Sequence, residues 1–147
     1  MPRSRVVIRR LQEADLAQMV AVWRGSGLSY RPKGRDRISS LRSQRVAAPD
    51  LFLGAFTGSE LVGTVMASDD GRRGWINRLA VLPGARRTGI AKALISAAED
   101  ALRKRGRRLF CVHVETDNAP SMRLLEKTGY TRETKIAYYA KREKKSY

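Results

Sequence analysis

INRLAVLPGARRTGIAKALI, residues 76–95, changes its period halfway along. Up to Val81 it reads as a strand, and Pro83 and Gly84 then break it. From Ile90 onward the apolar residues recur at helical spacing: Ile90, Leu94, Ala97, Ala98, Ala101 and Leu102 form one stripe, with Lys92, Ser96, Glu99 and Arg103 off it. The alanines of that stripe let such a helix lie close against a sheet. Between strand and helix stands a basic turn, Arg86, Arg87, Thr88 and Gly89. The first N–H groups of any helix lack internal partners and carry the positive end of its dipole. Gly89 removes a Cβ that would hold a ligand away from the backbone, and the two arginines add full charges. The arrangement suits a phosphate group; a solvated basic surface turn is the plainer alternative.

Two familiar phosphate motifs do not fit. Gly84 and Gly89 have the spacing of the first two glycines of a nucleotide P-loop, but Ile90 and Ala91 stand where its lysine and hydroxyl belong. GSGLSY, residues 25–30, has Tyr30 in place of the third glycine of a dinucleotide fingerprint. A pyrophosphate held by main-chain amides remains.

Outward from this stretch, the patterning predicts one α/β domain over residues 1–147, with a mixed, mostly antiparallel sheet flanked by helices. A strand is expected at residues 6–11, a helix over 13–27 and a weak helix over 35–48. Two strands follow, LFLGAFT (51–57) and ELVGTVMAS (60–68), joined by a two-residue Gly-Ser connection, and then WINRLAV (75–81). After the long helix come a strand in RRLFCVHVE (107–115), a helix in NAPSMRLLEKTG (118–129) and a closing strand pair in YTRETKIAYYAKRE (130–143). The expected order is β-α-α-β-β-β-α-β-α-β-β.

Composition narrows the setting. The 147 residues are 42% hydrophobic, enough for a globular core, and no apolar run is long enough to span a bilayer. MPRSRVVIRR lacks the apolar centre of a secretory signal, and the single cysteine, Cys111, excludes an internal disulfide and a clustered-cysteine zinc site. A cytoplasmic protein without a metal or a membrane association is expected. Charge is the outlier: 30 Lys+Arg against 14 Asp+Glu, net +16. Such a field attracts polyphosphates, acidic partners and nucleic-acid assemblies such as the ribosome, and repels polycations.

The turn and the later stretch FCVHVETDNAPSMRLLEKTGY (residues 110–130) together resemble the GNAT superfamily of acyl-CoA-dependent N-acetyltransferases. The superfamily's Arg/Gln-x-x-Gly-x-Gly/Ala signature is matched by Arg86, Gly89 and Ala91. Its second signature is matched by Asn118, Ser121, Leu124, Glu126, Lys127, Gly129 and Tyr130. The resemblance implies acetyl transfer from acetyl-CoA to a primary amine, of a small molecule or of a protein's N-terminus or lysine. It implies a pyrophosphate on the N–H groups of Arg86, Arg87, Thr88, Gly89, Ile90, Ala91 and Lys92, a pantetheine arm along Leu79, Ala80 and Val81, and contacts from Asn118 and Ser121. Asn118 equally fits a plain helix cap.

Two positions depart from the family's habits. Asn77 stands where many relatives carry a glutamate base, and Leu125 where many carry a tyrosine acid. A lysine-like amine has a pKa near 10.4, so its deprotonation at neutral pH costs on the order of 4 kcal/mol and calls for a base. In CVHVE, Cys111, His113 and Glu115 share one strand face, with Phe110, Val112 and Val114 on the other. His113 and Glu115 are therefore the expected catalytic residues, each with the alternative of ordinary packing or pairing. Tyr30, Tyr138 and Tyr139 are candidate substitute acids, and a CoA thiolate also departs unaided. The acceptor is expected between the SYRPKGRD loop (residues 29–36) and the C-terminal strand pair, and a homodimer is left open. Two other functions compete: a non-catalytic acyl-CoA sensor, favoured by Asn77 and Leu125, and a basic nucleic-acid-binding module.

Overall fold

The computed structural model describes residues 5–147; Met1, Pro2, Arg3 and Ser4, the start of the basic N-terminal stretch, lie outside it. The elements are β1 (Val6–Arg10), α1 (Leu16–Ser26), α2 (Ile38–Ala47), β2 (Phe52–Thr57), β3 (Glu60–Asp69), β4 (Gly74–Val81), α3 (Ile90–Lys104), β5 (Phe110–Val112) and α4 (Ala119–Lys127). Short 3-10 turns lead into α1 and β2 and follow β4. The strands form one sheet in chain order, antiparallel from β1 to β4 and parallel between β4 and β5. The parallel pair is the one bridged by α3, as a crossover helix requires.

Each face of the sheet is covered. On one, Leu94, Ile95, Ala98 and Leu102 of α3 pack on Leu53, Ala55, Val65, Ala67 and Ile76. Gly74 lies beneath Leu102, where an added Cβ would stand 2.5 Å from that side chain, so α3 does approach closely. On the other face, Leu16, Met19 and Trp23 of α1 and Leu41 of α2 pack on Phe52, Phe56, Leu61 and Met66. Helix α1 ends at Gly27, in the left-handed region at φ 81°, with the Leu28 N–H closing back on the Trp23 carbonyl at 3.1 Å. Helix α2 is as weak as its pattern: Leu41 is buried, but Ile38 and Val46 are exposed.

The β3–β4 turn is closed by Asp70. Its carboxylate accepts N–H bonds from Arg73 (2.6 Å) and Arg72 (2.8 Å) and from the Trp75 indole (3.1 Å). These donors, Arg73 foremost, hold its pKa down to about 2 against an ordinary 3.8. The folded value lies below the unfolded one, so this stabilisation is complete above the unfolded pKa and fades as pH falls through the folded one. The melting-temperature gap between the native protein and Asp70→Ala should therefore hold steady at neutral pH and close between about pH 4 and pH 2. A gap unchanged at the acid end would show that the ionised carboxylate does not hold the turn.

One expectation fails. The closing strand pair over residues 130–143 does not form; no strand follows α4. The reason is burial. Ile136, Tyr138 and Tyr139 are 73, 71 and 90% exposed, so the segment has no apolar face turned toward a core. β5 is likewise shorter than its pattern, since its pairing with β4 stops at Val112.

Candidate active site

The site begins as an irregularity in β4. Thr64 pairs with Ala80 and Met66 with Asn77, so Arg78 and Leu79 together oppose a single residue, Val65. This is a β-bulge, and Arg78 occupies it at φ 51°, a left-handed conformation uncommon for a side-chain-bearing residue. Buried groups hold it there. The Trp23 indole donates to the Thr64 hydroxyl at 3.1 Å, and that hydroxyl donates to the Arg78 carbonyl at 3.3 Å. The Arg78 guanidinium lies 5.0 Å over the Trp23 ring and donates to Asp36 at 2.6 Å and to the Ser29 carbonyl. Asp36, 4% exposed, also accepts the Arg31 N–H at 2.7 Å. The loop between α1 and α2 is thus tied to the bulge.

Beyond the bulge, β4 and β5 part. Their pairing covers only Gly74–Phe110, Trp75–Cys111 and Ile76–Val112. From its last pair, Ile76 and Val112, onward, residues 77–79 of β4 and 113–115 of the chain after β5 line a cleft of about 120 Å³. Ile95, Leu125, Leu28, Asn118 and Ser121 complete the walls. Ala80 and Val81 continue the β4 edge away from the cleft and pair only with β3.

At its α3 end this edge runs into the basic turn. Gly89 precedes Ile90 at φ 82°, and Arg87 is left-handed too, at φ 63°. Among the described residues, no main-chain carbonyl accepts an N–H from residues 87–92; the first to be paired is Ala93, on the Gly89 carbonyl at 3.0 Å. Nothing lies within 4 Å of the place a Cβ on Gly89 would take. An open row of unpaired donors at a helix N-terminus fits a pyrophosphate. Arg86 does something the sequence did not suggest: its guanidinium turns inward, donating to the Val81 carbonyl at 3.2 Å and the Ser26 carbonyl at 3.0 Å. It braces the turn against β4 and α1 while remaining exposed, as Arg87 and Lys92 are.

His113 and Glu115 both line the cleft. The His113 ring sits between two aromatics, 4.8 Å from Trp75 and 4.9 Å from Tyr138 by ring centroids. Glu115 makes no ion pair among the described residues, and its carbonyl accepts the Asn118 N–H at 2.9 Å. Asn118 is the cap of α4, its side-chain oxygen accepting the Ser121 N–H at 3.3 Å, and it lines the cleft as well. The cap reading describes its hydrogen bond, and its place on the cleft wall leaves the contact with a ligand open. Asn77 is engaged with the Ser68 hydroxyl at 3.2 Å.

The remaining tyrosines are sorted by contact. Tyr30 lies edge-on to Trp23 at 6.1 Å, and Tyr139 is exposed. Tyr138 alone of the three candidates touches a cleft residue, His113. Burial, and a 2.7 Å hydrogen bond donated to Glu99, push the Tyr130 hydroxyl far above its ordinary pKa. Burial also raises the pKa of the Cys111 thiol. Among the described residues no group of three His, Cys, Asp or Glu side chains is placed to hold a metal, and no helix is long and apolar enough to cross a membrane.

Arg78, Asp36, Thr64 and Ile95 were not among the expected site residues. Asp36 carries a signal in retrospect, being the only acidic residue between Asp15 and Asp50. The positive φ of an arginine inside a strand has none.

Comparison with known proteins agrees with this geometry. An acetyltransferase of Sodalis glossinidius is 33% identical over 135 residues, covering 92% of this chain and 94% of its own. The fold is similar to that of Ard1 from Thermoplasma volcanium, with TM-score 0.76 and 21% identity over 86% of this chain and 82% of that one. It is similar also to the PaiA N-acetyltransferase of Thermoplasma acidophilum in complex with coenzyme A, with TM-score 0.75 and 24% identity over 88% and 91% of the two chains. The model of the Acetyltransferase (GNAT) family matches residues 16–130, which take in the bulge, the splayed strands and the basic turn alike. The chain belongs to that family.

Proposed function

We propose that this acetyltransferase moves an acetyl group from acetyl-CoA to a primary amine by direct attack of the amine on the thioester. The observation that carries the reading is the row of unpaired N–H groups at residues 87–92, continuous with the open edge of β4. The residues fit the cosubstrate. The N–H groups of residues 87–92, on a turn braced by Arg86, would hold its pyrophosphate, Leu79, Ala80 and Val81 its pantetheine arm, and Asn118 and Ser121 the arm's far side. Acetyl-CoA supplies an activated acyl group and a leaving thiolate.

The chain's own residues account for the rest. An amine arrives at neutral pH as an ammonium ion, which the unpaired Glu115 carboxylate attracts and then relieves of a proton. His113, held between Trp75 and Tyr138, is the second group able to accept it. Main-chain N–H groups of the splayed β4 edge are the donors available to a developing oxyanion. Asn77 and Leu125 take no part in proton transfer.

Thiol release from acetyl-CoA, followed over a panel of primary amines, tests the reading. Glu115→Gln should lower kcat by about 10²- to 10⁴-fold with CoA affinity retained. His113→Asn should change it less, because its ring is engaged by its neighbours. Were Glu115→Gln to keep full kcat, the carboxylate would not be the base. CoA binding with no thiol release from any amine would favour the non-catalytic sensor, a reading supported by Asn77 being occupied with Ser68.

A further inference from the structure

Two positively charged segments, far apart in the chain, meet where Gly34 packs on Ser146, and each also reaches the cleft. The first is the α1–α2 loop with Arg31, Lys33, Arg35 and Arg37, all exposed. Its ends are fixed on Arg78, which lines the cleft, through the Ser29 carbonyl and the Asp36 carboxylate. The second is the C-terminal segment with Lys141, Arg142, Lys144 and Lys145, also exposed. One end is fixed where Tyr138 stacks on His113 of the cleft wall. The other is fixed where Ser146 packs on Gly34, so tightly that a Cβ there would overlap the Ser146 carbonyl. Tyr147 lies in a shallow hollow with Arg35 and Arg37. Loop and tail are therefore in contact, and each is anchored to a residue of the cleft.

Like charges repel, and a chain of net +16 gains nothing by gathering cations at one mouth. Within the two segments the only acidic side chains are Asp36 and Glu143. Asp36 is buried and engaged by Arg78, with Arg35 at 3.9 Å, so it does not offset the surface charge of the loop. What faces an incoming acceptor is a cationic collar beside a cleft that must admit one amine.

We propose that the acceptor is an acidic polypeptide whose terminal amine enters the cleft while its carboxylates meet this collar. The proposal rests on the acetyltransferase reading and names the substrate class for that same site. Chemistry selects a peptide over a nucleic acid. The amino groups of nucleobases share their lone pair with the ring and are poor nucleophiles, whereas a peptide carries an aliphatic amine on a chain that extends away from it. Small polycationic amines are disfavoured by the same field.

The test measures binding and turnover with peptides of equal length bearing a free α-amine and acidic, neutral or basic residues downstream. Binding is read by fluorescence anisotropy of a C-terminal label on the full chain, with and without CoA, and CoA affinity is measured separately by calorimetry. The acidic peptide should bind at least about tenfold more tightly than the neutral one at low salt, and that advantage should shrink as ionic strength rises. The double variants Lys144→Glu with Lys145→Glu, and Arg31→Glu with Lys33→Glu, should each cut the advantage several-fold and leave CoA affinity unchanged. Equal binding of all three peptides, an acidic advantage that survives both double variants, or displacement of the acidic peptide by single-stranded RNA of matched charge would overturn the proposal. CoA binding with acetylation indifferent to peptide charge would sink the collar and leave the acetyltransferase reading standing. Loss of CoA binding in the native protein would sink that reading, while the anisotropy without CoA still decides the collar.

Discussion

Gly89→Glu should weaken CoA binding by at least about a hundredfold while the protein still folds. Two physical effects combine. At φ 82° the backbone adopts a left-handed conformation that costs a side-chain-bearing residue about 1–2 kcal/mol. The space beside it is open, with nothing within 4 Å of an added Cβ, so the substitution meets no clash that would unfold the turn. The carboxylate then sits among the unpaired N–H groups of residues 87–92 and competes for the positive end of α3. Against a phosphate about 5 Å away, one such charge is worth about 3 kcal/mol at an effective dielectric of 20, already more than a hundredfold in affinity.

Gly89→Ala separates the two terms. It carries the conformational cost without the charge, so its loss of CoA affinity should stay near tenfold, since 1.4 kcal/mol corresponds to a factor of ten. Calorimetric titration of CoA into the native protein and both variants, with thermal melts alongside, reads the result. If Gly89→Glu bound CoA within about threefold of the native protein, the pyrophosphate would lie elsewhere. The reading of the turn would then fail.

How much of this was legible before the structure depends on whether the deciding physics was local. The strand, turn and helix around Arg86 and Gly89 could be read because a change of period and a helix N-terminus are properties of consecutive residues. His113 and Glu115 do line the cleft, but so do Val112 and Val114, because the chain leaves the strand after Val112 and the alternation that put the first two on one face no longer holds there. The closing strand pair was misread because Ile136, Tyr138 and Tyr139 carry β-propensity, and propensity cannot tell whether a core face exists to receive them. The bracing contacts of Arg86 were not legible for the same kind of reason. Its acceptors, the Val81 and Ser26 carbonyls, come from two different elements, and only their packing decides between bracing and phosphate contact. The bulge at Arg78 depends on Trp23, Thr64 and Asp36 meeting in space, at separations of 55, 14 and 42 residues from it, which no window on the sequence spans.

That cluster is where a single substitution should cost the fold most. Arg78→Ala leaves the Asp36 carboxylate, 4% exposed, without its guanidinium partner, and stripping one member from a buried pair costs about 3–5 kcal/mol. It also keeps a side-chain-bearing residue in the left-handed bulge, so the backbone cost is not relieved. Arg78→Gly relieves it and loses the same ion pair, and should be less damaging by about 1 kcal/mol. The double variant Arg78→Gly with Asp36→Asn removes the orphaned charge and should recover most of the remainder. Thr64→Val tests the other half of the cluster, since it leaves the Trp23 indole without an acceptor and the Arg78 carbonyl without a donor, at about 1–3 kcal/mol. Stability from urea unfolding gives the order, and amide exchange gives the location. In the Arg78 variants protection should fall at residues 29–37, which the guanidinium ties down, more than in the α3 core. Uniform loss of protection would mean that Arg78 supports the sheet generally, and the tie between the α1–α2 loop and the cleft would not be its particular role.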